Sequence, residues 1–244
     1  MRPLPLLLIL VAAALGMGSL VLLGLMLFSG PLGLVDLGLA PGADLLLDTG
    51  LALLFAVQHS LMVRRSFHDL LARRVPRDYH GAVFALASGL ALLPAALLWQ
   101  EAWPLVRLTG PAAWAVHGIF GLGIALMVWG VMAIGAFDLL GLKAAWDRMR
   151  GRTPGSIPFQ VCGPYRLMRH PLYTASIVML WACPAISADR LLLALLWTAW
   201  IAVATRWEER DLVAVLGQDY AAYREQVPML VPLPGRAAPE CRRP

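Results

Sequence analysis

The stretch "GPYRLMRHPLYTAS", Gly163–Ser176, places Arg166, Arg169 and His170 directly before Pro171 and an apolar run. A second stretch, "RWEERD" (Arg206–Asp211), closes a later apolar run and carries the adjacent carboxylates Glu208 and Glu209. Proline suits the first turn of a helix, where its missing N–H is no loss. The N–H groups left free at that helix start favour an anion, whereas the carboxylates favour a cation or hydroxyl groups. Together they suit a zwitterion that carries a ribose. The plainer alternative is anchoring, because Arg and His at a membrane edge extend their polar ends to headgroups.

Two further clusters could act on a second reactant. "QHSLMVRRSF" (Gln58–Phe67) offers Gln58 as a polar contact, His59 as a proton acceptor near neutral pH, and Arg64 as a partner for a developing anion. "AFDLLGL" (Ala136–Leu142) contributes Asp138. Acidic residues this close to lipid usually serve a function, although a simple pair with Lys143 is the structural alternative. Cys162, Cys183 and Cys241 have no metal-ligand spacing, no metal site is expected, and no disulfide framework is read from them. "CRRP" at the end lacks the aliphatic positions of a prenylation signal.

The elements that must position these residues are membrane helices. The chain has 244 residues, 59% hydrophobic and 14% charged, with a mean hydropathy of +0.70. Soluble domains average about 45–50% apolar and about 25% charged. A spanning helix needs about 20 apolar residues. Leu4–Phe28, Leu45–Val63, Gly81–Trp99 and Ala112–Ala136 qualify. Leu4–Phe28 is too long for the apolar part of a signal peptide, about 7–15 residues. The run Leu172–Thr205 is broken by Pro184 and Asp189, and reads as a hairpin of two short passes, Leu172–Ser187 and Leu191–Thr205. The expectation is an all-α integral membrane bundle of six transmembrane helices, or five if the hairpin is only partly inserted.

Basic residues test that count. With the amino terminus inside, six passes leave 18 of the 20 Lys and Arg residues in the cytoplasm, and only Arg107 and Arg190 outside. That is the positive-inside pattern, and it accounts for the net charge of +5 through an anionic leaflet without nucleic acid. Both termini and the "RHP" and "EERD" clusters then lie on the cytoplasmic side. Beyond them, Leu212, Val215, Leu216, Tyr220 and Tyr223 follow helical spacing. They predict an amphipathic C-terminal helix, either an anchor on the membrane or a lid over the polar site.

The motif pattern resembles a known superfamily. "GPYRLMRHPLY", followed by "EERDL" and "GQDYAAYREQVPML", is similar to the membrane methyltransferases that include isoprenylcysteine carboxyl methyltransferases and phospholipid methyltransferases. The resemblance implies S-adenosylmethionine as cofactor, held by Tyr165, Arg169, His170, Pro171, Tyr173, Glu208 and Glu209. "FAVQHSLMVRRSF", "WQEAWP", "FDLLGL" and "YREQVPMLVPL" resemble the bacterial methanethiol S-methyltransferase family. That implies a bacterial inner-membrane enzyme making dimethyl sulfide from a small apolar thiol. His59 and Arg64 are then its catalytic candidates, and Gln58 and Asp138 its substrate contacts. Ala175 stands where the family usually has Gly, and "RDYHGAVFALAS" is closer to NnrU-type membrane proteins. Two other readings follow, a lipid or prenyl-cysteine carboxyl acceptor and a non-enzymatic NnrU-type protein. One domain is expected over 1–244, with an N-terminal helix and outer loop at 1–50, a family-like core at 51–234 and a disordered tail at 235–244. No motif for an oligomeric state is present.

Overall fold

The computed structural model describes residues 3–40, 42–134, 138–153 and 159–238. In chain order the elements are α1 (Pro3–Ser29), α2 (Ala43–Val63), α3 (Arg65–Leu71), α4 (His80–Leu97) and β1 (Pro104–Arg107). They continue with α5 (Gly110–Ala133), α6 (Lys143–Met149), α7 (Pro171–Trp181), β2 (Ala185–Ser187), α8 (Ala188–Leu216) and α9 (Gln218–Gln226). Five helices among the described residues are long and apolar enough to cross a membrane. The protein is an all-α integral membrane bundle.

The expected hairpin is corrected in two ways. Its first arm is only the 11-residue α7, about 16 Å long at 1.5 Å per residue, against a hydrocarbon core of about 30 Å. Ala182–Pro184 end the helix before it reaches span length. The second arm does not stop at Thr205. It continues through "RWEERD" to Leu216, a single helix of 29 residues. The predicted amphipathic helix is split at Gly217, whose φ of +60° requires glycine, so Leu212 and Leu216 belong to α8 and Tyr220 and Tyr223 to α9.

The chain divides into two compact units. The first contains residues 1–107, 138–156 and 185–193. In it α1 and α4 pack closely through small residues: Ala12, Ala82 and Ala85 are buried, and a Cβ on Gly89 would lie 2.8 Å from the Leu15 carbonyl carbon. Such small-residue contacts let membrane helices approach through their backbones. Gly89→Ala forces those backbones apart. A loss of about 1–3 kcal/mol is expected from such overpacking, read as a lower midpoint of thermal unfolding in detergent.

One end of this unit is tied by buried polar side chains. Asp189, in the first turn of α8, accepts from Trp99 Nε1 and the Ala102 N–H, both at 3.0 Å. Arg190 donates to the Met26 and Leu27 carbonyls at the C-terminal end of α1. Asp48 accepts from the Gln100 N–H at 3.1 Å. β1 pairs antiparallel with β2 beside them. The C-terminal ends of α1 and α4 and the start of α8 therefore share one end of the unit.

The second unit contains residues 108–137, 157–184 and 194–244. Here α7 lies against α5, where Gly123 and Gly130 leave no room for a side chain. A Cβ would meet Met179 Cγ at 2.7 Å in the first case and Leu172 Cδ2 at 2.6 Å in the second. Ala175 is fully buried, so its methyl, in place of the family's usual glycine, is accommodated. Part of the expected disordered tail is also corrected. Ala238 is buried with Tyr220, Tyr223 and Val227, and its N–H donates to the Arg166 carbonyl at 2.9 Å. Residues 239–244 lie outside the described residues. Cys162 and Cys183 are both buried.

Candidate active site

The second unit brings the two charged motifs together. Pro171 opens α7, and the extended segment after α9 runs past that helix start, where Arg169 and His170 donate their backbone N–H groups to the Pro228 and Met229 carbonyls at 2.9 and 3.1 Å. Thr174 adds a bond from its hydroxyl to the Leu230 carbonyl at 2.7 Å. Two of the backbone donors expected to meet an anion are thus used by the protein itself.

Consecutive residues on a helix point about 100° apart, so Glu208 and Glu209 on α8 have separate surroundings. Glu209 is 3% exposed and gathers two guanidinium cations and an imidazole. Arg169 Nε donates to Oε1 at 2.6 Å, His170 Nε2 lies 3.1 Å from the same oxygen, and Arg224 Nε is 3.4 Å from Oε2. Because a carboxylate only accepts, Nε2 carries the proton of His170. Arg169 Nη1 also donates, to the Arg224 and Val227 carbonyls. Burial pushes the His170 imidazole below its ordinary value of 6.5, and the Glu208 and Glu209 charges only partly oppose it.

Glu208 is the carboxylate that faces open space. It lines a cavity of about 450 Å³ with Phe159, Tyr165, Arg169, His170, Pro171, Tyr173, Tyr220 and Tyr223, within the usual size for a small-molecule site. Its Oε2 accepts from the Tyr173 hydroxyl at 2.7 Å, and Tyr173 stacks on His170 with ring centroids 5.6 Å apart. Burial raises both phenols, with the Glu208 charge adding to it, and pushes Tyr165 up to about 12. Both stay protonated as donors. Phe159, Tyr220 and Tyr223 form mutually edge-on rings at 5.7–6.0 Å.

Of the residues assigned to the cofactor from sequence, Tyr165, Arg169, His170, Pro171, Tyr173 and Glu208 line this cavity, and Glu209 stands behind it. Sequence reasoning missed Phe159 and Arg224. Tyr220 and Tyr223 are read from sequence only as part of an amphipathic anchor or lid, not as cavity residues, although their three-residue spacing was the available signal.

The other candidates belong to the first unit. Gln58 and Arg64 line a groove of about 600 Å³ along α2 and α3, with Leu54, Val57, Leu61 and Met62. His59 is half-buried, with the Phe55 and Phe84 rings 5.3 and 5.0 Å away. Asp138 accepts the Leu142 and Lys143 N–H groups at 2.7 and 2.9 Å, at the head of α6. Lys143 Nζ pairs with Asp147 instead. His80 stacks on His68 with their Nδ1 atoms 3.1 Å apart.

A helical membrane bundle with a carboxylate and aromatic cavity at the "RHP" helix start has the features of a membrane methyltransferase. Residues 112–219 match the phospholipid methyltransferase family model. The chain is 39% identical over 196 residues to methanethiol S-methyltransferase 2 of Bradyrhizobium diazoefficiens, covering 78% of this chain and 74% of that one. It is 36% identical over 200 residues to the methanethiol S-methyltransferase of Pseudomonas deceptionensis, covering 79% and 76%. With the Mycobacterium tuberculosis enzyme of the same name it shares 37% over 190 residues, 75% of each chain. No solved structure matches it. The chain belongs to the methanethiol S-methyltransferase family.

Proposed function

We propose that the protein methylates a small apolar thiol, methanethiol, to dimethyl sulfide, with S-adenosylmethionine as methyl donor. The observation that carries this reading is the open Glu208 carboxylate in an aromatic cavity, in a chain 39% identical to a protein of that name. The donor set fits such a cofactor: one anionic group for a cation or ribose, phenol donors, and flat rings for a purine. When bound, the cofactor supplies an electrophilic methyl on a sulfonium. Glu208 and Tyr173 hold its polar parts, and Phe159, Tyr220 and Tyr223 exclude water around it. Arg169 and His170, engaged by Glu209, keep Pro171 and the start of α7 fixed against the 227–230 segment.

The methyl acceptor is a thiolate, and a free thiol near pKa 8.5 is mostly protonated at neutral pH. We assign His59 as the proton acceptor and Arg64 as the group that steadies the anion, with Gln58 and Asp138 as substrate contacts. His59→Ala should leave donor affinity intact and lower turnover most near pH 6, with recovery as rising pH supplies free thiolate. Turnover equal to wild type at that pH removes His59 from the mechanism.

The basic-residue count supports a cytoplasmic site and amino terminus. Headspace analysis of cells expressing the chain and fed methanethiol tests the proposal. Dimethyl sulfide above the vector control is expected. Its absence, with a methylated lipid in its place, would favour the lipid acceptor that the family model at 112–219 suggests.

A further inference from the structure

The cavity keeps one amide open. Gln160 lines it, is half-buried, and makes no side-chain hydrogen bond among the described residues. Its amide is not closed off by packing, unlike the Tyr220 hydroxyl, which is also unpaired but buried. Most other polar side chains of the cavity are engaged: Arg169 and His170 with Glu209, Tyr173 with Glu208, and Tyr223 with the Tyr165 carbonyl at 2.6 Å. Gln160 follows directly on Phe159, about 3.8 Å along the backbone. The Phe159 side chain is 41% exposed and packs edge-on against Tyr220 and Tyr223 at 6.0 and 5.7 Å. An open amide thus stands next to an uncovered aromatic ring, on the wall of one cavity.

We infer that Gln160 reads the adenine of the methyl donor: its Nε2–H donates to the ring nitrogen N7, its Oε1 accepts from the 6-amino group, and Phe159 meets the face of the base. The inference rests on the proposal that the donor is S-adenosylmethionine, and adds a specificity residue to it. A carboxamide presents a donor and an acceptor side by side in one plane. Adenine carries the matching pair, and amide side chains meet its 6-amino group and N7 through two bonds at once. It also brings a π face for an exposed aromatic ring. The rest of the donor does not combine these features. Its ammonium only donates, its carboxylate only accepts, and its ribose hydroxyls have no flat face. Glu208 already offers those parts a charged acceptor.

The test is calorimetric titration in detergent with S-adenosylhomocysteine and with S-inosylhomocysteine, on wild type and on Gln160→Met. Inosine keeps N7 but has a carbonyl oxygen in place of the 6-amino group, so the amide retains only one of its two bonds. Wild type is expected to bind the adenosyl ligand about tenfold more tightly. Methionine keeps the length of the side chain and removes the amide. Gln160→Met should weaken adenosyl binding by about fivefold to 150-fold and bind the two ligands alike, with the unliganded thermal midpoint unchanged. Wild type that binds both ligands equally overturns the inference without any variant. Gln160→Met that keeps the wild-type preference, or that weakens both ligands by one factor, overturns it as well. Wild type that binds neither ligand overturns the donor assignment and this inference together.

Discussion

Glu209→Ala is expected to cost about 3–5 kcal/mol of stability, the usual result of removing one member of a buried ion pair. The carboxylate is 4% exposed at its side chain, and Arg169 opposite it is 8% exposed. Removing Glu209 leaves the Arg169 guanidinium buried without its counter-charge, and Arg224 and His170 lose an acceptor. By the scaling for chains of this size, the thermal midpoint falls by about 10 °C. A double variant, Glu209→Met with Arg169→Met, should recover part of the loss, because no charge is then left buried. It should not recover all of it, since Arg169 also donates to the Arg224 and Val227 carbonyls. Acidification should weaken the same region. His170 is held below 6.5 by burial, so the folded state resists the proton that the unfolded chain accepts. Its contribution is present above that pH and is lost as pH falls through it. A Glu209→Ala midpoint equal to wild type in detergent would mean the pairing carries no stability.

The helices whose apolar runs reach span length were legible, because length and composition decide them. α7 and α8 were not. The charges of "RWEERD" read as a membrane exit, but a helix can carry them without a break when its faces differ. Thr205 and Glu209, four residues apart, are buried, whereas Arg206 and Arg210 are exposed. The "RHP" and "EERD" motifs marked residues that line the cavity, and the adjacency of Glu208 and Glu209 on a helix implied that the two carboxylates differ. Which one faces the cavity depended on Arg224 and on the segment 227–230. These lie more than 50 residues from Arg169, and no local pattern encodes that pairing. Tyr220 was visible as an apolar stripe residue. That its hydroxyl would be left unsatisfied is a fact of packing.

Glu208→Gln is expected to weaken S-adenosylmethionine binding by about tenfold to 150-fold, the loss of a charge-assisted hydrogen bond worth about 1.5–3 kcal/mol. The amide keeps an acceptor for the Tyr173 hydroxyl and nearly the same volume, so the fold should be spared and the change read as charge alone. Glu209→Gln is the proper contrast. Its carboxylate is spent on Arg169, His170 and Arg224, so it should lower the thermal midpoint while the folded fraction binds the donor nearly as wild type does. Comparing two ligands then locates the charge that Glu208 meets. S-adenosylhomocysteine lacks the sulfonium but keeps the ammonium and the ribose. If Glu208 meets the ammonium or ribose, both ligands weaken equally in Glu208→Gln; if it meets the sulfonium, only S-adenosylmethionine does. Titration by calorimetry decides between them. Affinity for both ligands unchanged in Glu208→Gln, with wild type binding normally, would remove this carboxylate from the cofactor site, because no other carboxylate among the described residues lines that cavity.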